Sequence, residues 1–514
     1  MKNSNKPQKG CSACTLLLLL CIFLLAACAE GYESPKGFDM GVSGTQMVTP
    51  IGDSISFKVN TEGTVATVSW PLVPGAGGHE VTFENVDDPQ NPFIVDGYDK
   101  KIVDGSKFTV SVTEDSRYRM TMRTLGNHDL GNIDVAEPSV FEFSTLVEKV
   151  ATIPSGSDIT TWWKDFKSVT APFDHEVAIE LEPSGDYIIS DTLDFGGYNL
   201  TFRGDKIHRP TVKIQGTANI QSYSGLKVKF INFDCSESSA NGVFGMSVSN
   251  LPDSIKSQNL GYVRNGSPIN DIYIVQDPLY ISHCWFKNVP RGLIYDNGVT
   301  CAYWNLTIDD CIVQLNNASS GVGCICMQSK GRLIKNILLK NSTFYNIAEN
   351  KSAYFLRYSN QSNSNPQKVF GTGTPDMPSQ SITISNCTLS KVYTGQKFVN
   401  NLNATGQALT IDHTIFYDIN SVRQLPRWGG FKTFKFNFWW GITLIDEQDK
   451  TQTDTGGSPF VSIYDPLFRG DVLQSLDLSK PNGGVDFTPG EYQIVVNRAG
   501  DTRWLPAVET ESAQ

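Results

Sequence analysis

Five short stretches share one pattern: "ISHCWF" from Ile281, "IDDCIV" from Ile308, "LKNSTF" from Leu339, "ISNCTL" from Ile384 and "IDHTIF" from Ile411. Each runs aliphatic, polar, then His, Asp or Asn, then Cys, Ser or Thr, then a variable residue and an apolar one. The third positions are His283, Asp310, Asn341, Asn386 and His413, in steps of 27, 31, 45 and 27 residues. Self-similarity at a period of about 20–50 residues marks a stacked repeat. A repeat this short, built of short strands, cannot bury its own apolar side, so stacking must supply the core. A right-handed parallel β-helix meets that demand.

His283 beside Cys284 invites a metal or nucleophile reading. Zinc needs ligands converging at fixed short spacing, and the ladder does not offer it. One polar and one small residue per coil at a corner accounts for the pattern. Outside the N-terminal segment the cysteines are Cys235, Cys284, Cys301, Cys311, Cys324, Cys326 and Cys387. An odd number argues against a complete disulfide framework. Cys284, Cys311 and Cys387 share a repeat position and are expected to stack as small buried hydrophobes.

The chain opens with Lys2, Lys6 and Lys9, then "TLLLLLCIFLLAAC". A basic segment before a short apolar run reads as a secretory signal, residues 1–27, and not as a span. Its end, Leu25-Ala26-Ala27-Cys28, resembles the lipobox of bacterial lipoproteins. That resemblance implies cleavage before Cys28, lipid on its thiol, and anchoring to the outer membrane, facing the exterior, without crossing it. Losing the three lysines takes the net charge from −11 to −14, and nucleic acid is not an expected partner. Residues 28–47 read as a polar tether. From 48 to 148, alternating segments such as "TVATVSW", "KFTVSV" and "RYRMTMRTL" predict an all-β sandwich. Trp70 and Tyr118 there resemble the core aromatics of fibronectin type III and immunoglobulin-like domains. The sandwich reads as a spacer, with glycan binding the alternative.

From 150 to 505 the texture is that of coils. "ITTWWKDF" predicts a short capping helix, and Val228 follows Phe202 by one 26-residue coil. The opening "YIISDTLDFGGYNLTFRGD", the "ISNC"-type coils and the C-terminal "DPLFRG", "FTPGEY" and "AGDTRW" resemble pectate-lyase-like β-helix lipoproteins of glycan-utilisation systems. The resemblance implies a surface protein handling pectin or another uronic-acid polysaccharide, beside other glycan-utilisation proteins.

Such a ligand is anionic, and charge is unevenly spread along the chain. Between 281 and 400 there are 11 Lys/Arg against 5 Asp/Glu, and a local basic patch concentrates anions whatever the net charge. The longest interval holds "SNQSNSNPQKVFGTGTPDMPSQ", which Arg357 leads into; long loops on rigid coils build cleft walls. Arg357, Lys330 and Arg332 are therefore the candidate catalytic cluster, with Arg291 beside it. Asn297, Gln328 and Asn400 each precede the next repeat by 11 residues and are expected to stack as a polar column. Tyr295 and Tyr354, with Tyr303 and Trp304, offer faces for sugars. A lyase needs a base at the proton α to the uronate carboxylate and a cation for the developing enolate. The coils offer only Asp296, Asp309 and Asp310 for calcium, with Asp310 in the corner ladder, so no metal or cofactor is expected. Three readings stay open: cleavage by β-elimination, glycan binding without cleavage, and an adhesin or structural β-helix.

Overall fold

The computed structural model describes residues 42–60, 63–264, 267–268, 271–296, 298–328, 333–349, 354–358, 366–371, 373–393, 398–400, 406–419, 425, 429–442 and 460–507. Two compact units divide at Leu146 and Val147. Among the described residues no helix is long and apolar enough to cross a membrane. Cys28 lies outside them.

The first unit is a sandwich of antiparallel sheets. Ser56–Val59, Val65–Ser69 and Lys107–Ser111 form one; Ala76–Asn85, Arg117–Gly126, Ser139–Ser144 and two short strands, Phe93–Ile94 and Lys101–Val103, form the other. Alternation decides which side is buried: along Arg117–Gly126 every second residue, from Tyr118 to Gly126, faces in. Ala66, Val68, Phe108 and Val110 meet Val81, Phe83, Met120 and Met122 across the core. Tyr118 Oη accepts from the Thr113 amide at 2.7 Å, and Trp70 Nε1 donates to the buried His79 Nε2 at 3.0 Å. The expected tether reaches too far. Thr45 and Met47 hydrogen-bond to Asn132 and Ile133, so the last of those residues belong to the sandwich.

The second unit is a parallel β-helix of three sheets. The first sheet runs from Lys149–Ile153 to Phe431–Lys435, the second from Asp186–Ile189 to Phe460–Val461, and the third from Leu193–Asp194 to Val399–Asn400. Identical environments stack in register: Leu200, Leu226, Leu279, Leu306, Ile337, Ile382 and Leu409 form one inward column, Phe202, Val228, Ile281, Ile308, Leu339, Ile384 and Ile411 the next. Each buried aliphatic contributes about 1.5–3 kcal/mol. The helix Ile159–Val169 closes the first coil, Asp158 capping it and Trp163 packing on Phe195 and Tyr198.

The repeated motif is the corner between first and second sheets. His283, Asp310, Asn341, Asn386 and His413 all have left-handed φ, 46° to 54°. His, Asp and Asn tolerate this conformation better than most residues. The small residue that follows points inward. Cys284, Cys311 and Cys387 donate their S–H to the carbonyls of Ser282, Asp309 and Ser385 at 3.2–3.3 Å; Ser342 and Thr414 donate their hydroxyls to Lys340 and Asp412. Cys, Ser and Thr exchange there because each is a small donor that reaches the carbonyl two residues back. Burial pushes the Cys284 thiol up to about 12 and the Cys311 and Cys387 thiols well above their ordinary range.

The expected end of the coils at 505 is also corrected. After Phe460–Val461 the chain folds back along the outside of the second sheet. Leu476, Val485, Phe487 and Trp504 pack on Ile312 and Tyr345, and Ile494 and Ala499 on Ile415 and Phe438.

Candidate functional site

Arg357 lies on the third sheet, in the strand Leu356–Tyr358. Its register neighbours are Cys326 on the preceding coil and Asn400 on the next, with Tyr295 beyond Cys326. The arginine is half-buried, and its Nε is sealed from solvent with no hydrogen-bond partner. Gly321 is close enough that an added Cβ would meet Arg357 Nη1 at 3.2 Å. Gln328 donates to the Gly321 carbonyl at 2.9 Å, so it holds that turn against the guanidinium. Four other arginines are neutralised. Arg119 pairs with Glu84, Arg123 with Glu80, Arg203 with Glu180, and Arg503 with Asp310 and Asp501. Among the described residues no carboxylate pairs with Arg357.

The expected constellation comes together in part. Lys330, Arg332 and Asn297 lie outside the described residues. Asn400 is level with Arg357, whereas Gln328 sits one residue past Met327, which is level with Tyr358. The polar column is thus two positions out of step, since Gln328 lies two residues past Cys326, the residue level with Arg357 and Asn400. Arg291 does not join the cluster. It precedes Gly292–Asp296, two coils back and four residues from the Tyr295 level, on the order of 16 Å between Cα atoms by strand geometry, and it hydrogen-bonds Asn241. Tyr295 and Tyr354 are half-buried. Tyr303 is core, 3% exposed, and Trp304 is covered by Lys335 Nζ, 3.9 Å from its ring centroid.

The three aspartates considered for calcium are dispersed. Asp296 is buried on the third sheet, where Oδ1 accepts from the Met246 amide at 2.8 Å. Asp309 pairs with Lys340, and Asp310 with Arg503 and His283. Among the described residues no group of three His, Cys, Asp or Glu side chains is placed to hold a metal. Gly321, Cys326 and Tyr358 were not singled out from sequence. The run "GVGCICMQ" carries a signal, since small residues beside a long side chain leave it room.

Two family models match the chain, DUF4992 over residues 7–189 and DUF4957 over 185–347, each described as a domain of unknown function. No curated protein matches. Among solved structures the chain is similar to a pectate lyase from Erwinia chrysanthemi in complex with tetragalacturonic acid, at 10% identity and TM-score 0.17, covering 80% of this chain and 88% of that one. It is similar to a mutant of a PL6 family alginate lyase at 12% identity and TM-score 0.18, covering 70% and 60%. A family 28 exopolygalacturonase from Yersinia enterocolitica follows at 11% and 0.22, covering 77% and 80%.

Proposed function

We propose that the third-sheet face around Arg357 binds an acidic polysaccharide, a chain of uronic acids with one carboxylate per sugar. The observation that supports this most is the guanidinium itself: half-buried, with a sealed and unbonded Nε, and with no ion-pair partner among the described residues. Burying an unpaired charge costs free energy, and a ligand carboxylate would relieve it through two parallel hydrogen bonds. Tyr295 and Tyr354 offer half-buried aromatic faces nearby, suited to the apolar sides of sugar rings. Hydrolysis by a carboxylate pair is the poorer reading, since Asp296 is in the core and Asp309 and Asp310 are ion-paired elsewhere. Lipid on Cys28 would hold this face outside the cell, on the outer membrane, beside other glycan-utilisation proteins. A Cys28→Ala chain is then expected in the soluble fraction.

The test is binding of polygalacturonate to the full chain and to Arg357→Ala. The expected loss is about 10- to 150-fold, the worth of a hydrogen bond to a charged group, and added salt should weaken the parent's binding. Equal affinity in the two proteins overturns the reading. Ultraviolet absorbance of an unsaturated product, dependent on Arg357, would add β-elimination to binding; its absence leaves a glycan-binding protein.

A further inference from the structure

Arg357 points outward, so Tyr358, the next residue along its strand, points inward. Tyr358 is fully buried, and its hydroxyl meets a polar stack at the corner between third and first sheets. Gln380 Nε2 lies 3.2 Å from Tyr358 Oη and donates to the Ile334 carbonyl at 2.7 Å. Gln407 Nε2, one coil on, donates to Gln380 Oε1 at 2.7 Å. Both glutamines are fully buried. Outside this corner, Lys335 lies over the Trp304 ring and 5.6 Å from Phe370. Phe370 ends the helix Pro366–Phe370 and meets Trp304 edge-on at 5.7 Å, while Tyr262 lies against Trp304 at 5.6 Å. Burial holds the Lys335 ammonium below its usual range. The corner is therefore closed by hydrogen bonds within and by a cation against aromatic rings without.

We infer that this corner is a brace, and that Tyr358 is a positioning residue which fixes the aim of Arg357. Two neighbouring residues of one strand share a peptide plane, so pinning one side chain inside fixes the other's departure outside. A short strand needs such a fixture. Leu356–Tyr358 has three residues, and the strand beside it, Val399–Asn400, has two. A hydroxyl bonded to a buried amide is expensive to leave unmade, which stiffens the strand more than an apolar side chain would. A guanidinium that must meet a carboxylate at both nitrogens gains from arriving already aimed, because ordering it on binding subtracts from affinity.

The test is Tyr358→Phe in the full chain. It removes only the hydroxyl and leaves the Gln380 amide its bond to the Ile334 carbonyl, so the fold is expected to survive. Because the ligand rests on the role proposed above for Arg357, one arm needs no ligand. Phenylglyoxal labelling of Arg357, followed by mass spectrometry, should run several-fold faster in Tyr358→Phe than in the parent, as the side chain loosens. In the second arm, affinity for polygalacturonate should fall about three- to tenfold, the scale of one neutral hydrogen bond. That loss should vanish in the Arg357→Ala background, the non-additivity expected of groups acting as a unit. An unchanged labelling rate overturns the brace. An equal loss of affinity with and without Arg357 overturns it too, as a general loosening. Faster labelling with no binding in the parent keeps the brace and sinks the ligand.

Discussion

One substitution, Arg503→Ala, is expected to weaken the hold of the C-terminal segment on its sheet. Arg503 is 11% exposed. Its Nη1 donates to Asp501 Oδ2 at 3.0 Å, and its Nη2 to the Asp310 carbonyl at 3.0 Å and to the Asp310 carboxylate. Asp501 is fully buried; Thr343 Oγ1 donates to it at 2.8 Å, and Trp504 Nε1 donates to that same hydroxyl at 2.7 Å. Alanine leaves two carboxylates without their cation. Breaking a buried pair from one side costs about 3–5 kcal/mol, and Asp310, 32% exposed, recovers part of its hydration, so the lower end, about 3 kcal/mol, is expected. The assay is urea unfolding of the full chain, read as a lower midpoint at unchanged slope.

The pH dependence makes the test sharper. Burial pushes the Asp501 carboxyl up to about 6, with Arg503 pulling the other way. A carboxyl raised in the folded state binds a proton more readily there than in the unfolded chain, whose value is near 3.8. Its contribution is most favourable below the unfolded value and is lost as pH rises through about 6. Without Arg503 the carboxyl rises further. The cost of Arg503→Ala is therefore largest above about pH 7 and shrinks near about pH 5, where Asp501 takes up a proton. Asp501→Asn should remove most of the pH dependence of the Arg503 effect. A cost under about 1 kcal/mol, the range of an exposed pair, or an equal cost at both pH values, refutes the reasoning.

Other outcomes follow from the same kind of reading. His79 is buried between Trp70 Nε1 and Thr124 Oγ1, and burial lowers its pKa below 6.5; the unfolded chain then binds protons more readily. Unfolding of the sandwich unit should come at lower urea as pH falls below about 6.5, and this slope should disappear in His79→Gln. At the corner, Asn386 has φ 50° and donates to the Arg498 carbonyl at 3.1 Å. Asn386→Val should cost about 1–3 kcal/mol from the backbone alone, and Asn386→Gly clearly less; equal costs for the two would remove the conformational explanation. Cys284, Cys311 and Cys387 should stay unlabelled by thiol reagents in native buffer and react on unfolding. Cys284→Ser should cost only about 1 kcal/mol, because serine reproduces the donor to the Ser282 carbonyl.

The β-helix was legible because its constraint is local and repeated. A left-handed corner that must be followed by a small donor leaves the same two residue types on every coil, and even a 45-residue interval cannot hide them. The capping helix was legible for a similar reason, with Asp158 accepting from the Thr160 amide and paired tryptophans on one short segment. The C-terminal segment was not, since its partners, Asp310, Thr343, Thr388 and Asn386, are set by the stacked sheet and lie more than 100 positions away in sequence. The site falls between these cases. Arg357 was read as one member of a basic cluster before a long insertion, but its neighbours depend on register, and an insertion between coils shifts register without leaving a mark. Counting back 11 residues from each repeat put Asn400 beside Gln328; the sheet puts it beside Arg357. The same shift explains why Tyr358 and Gln380 went unseen. One reads from sequence as a strand residue and the other as a loop end, and only the closed corner, with Gln380 Nε2 3.2 Å from Tyr358 Oη, turns them into one fixture beneath the guanidinium.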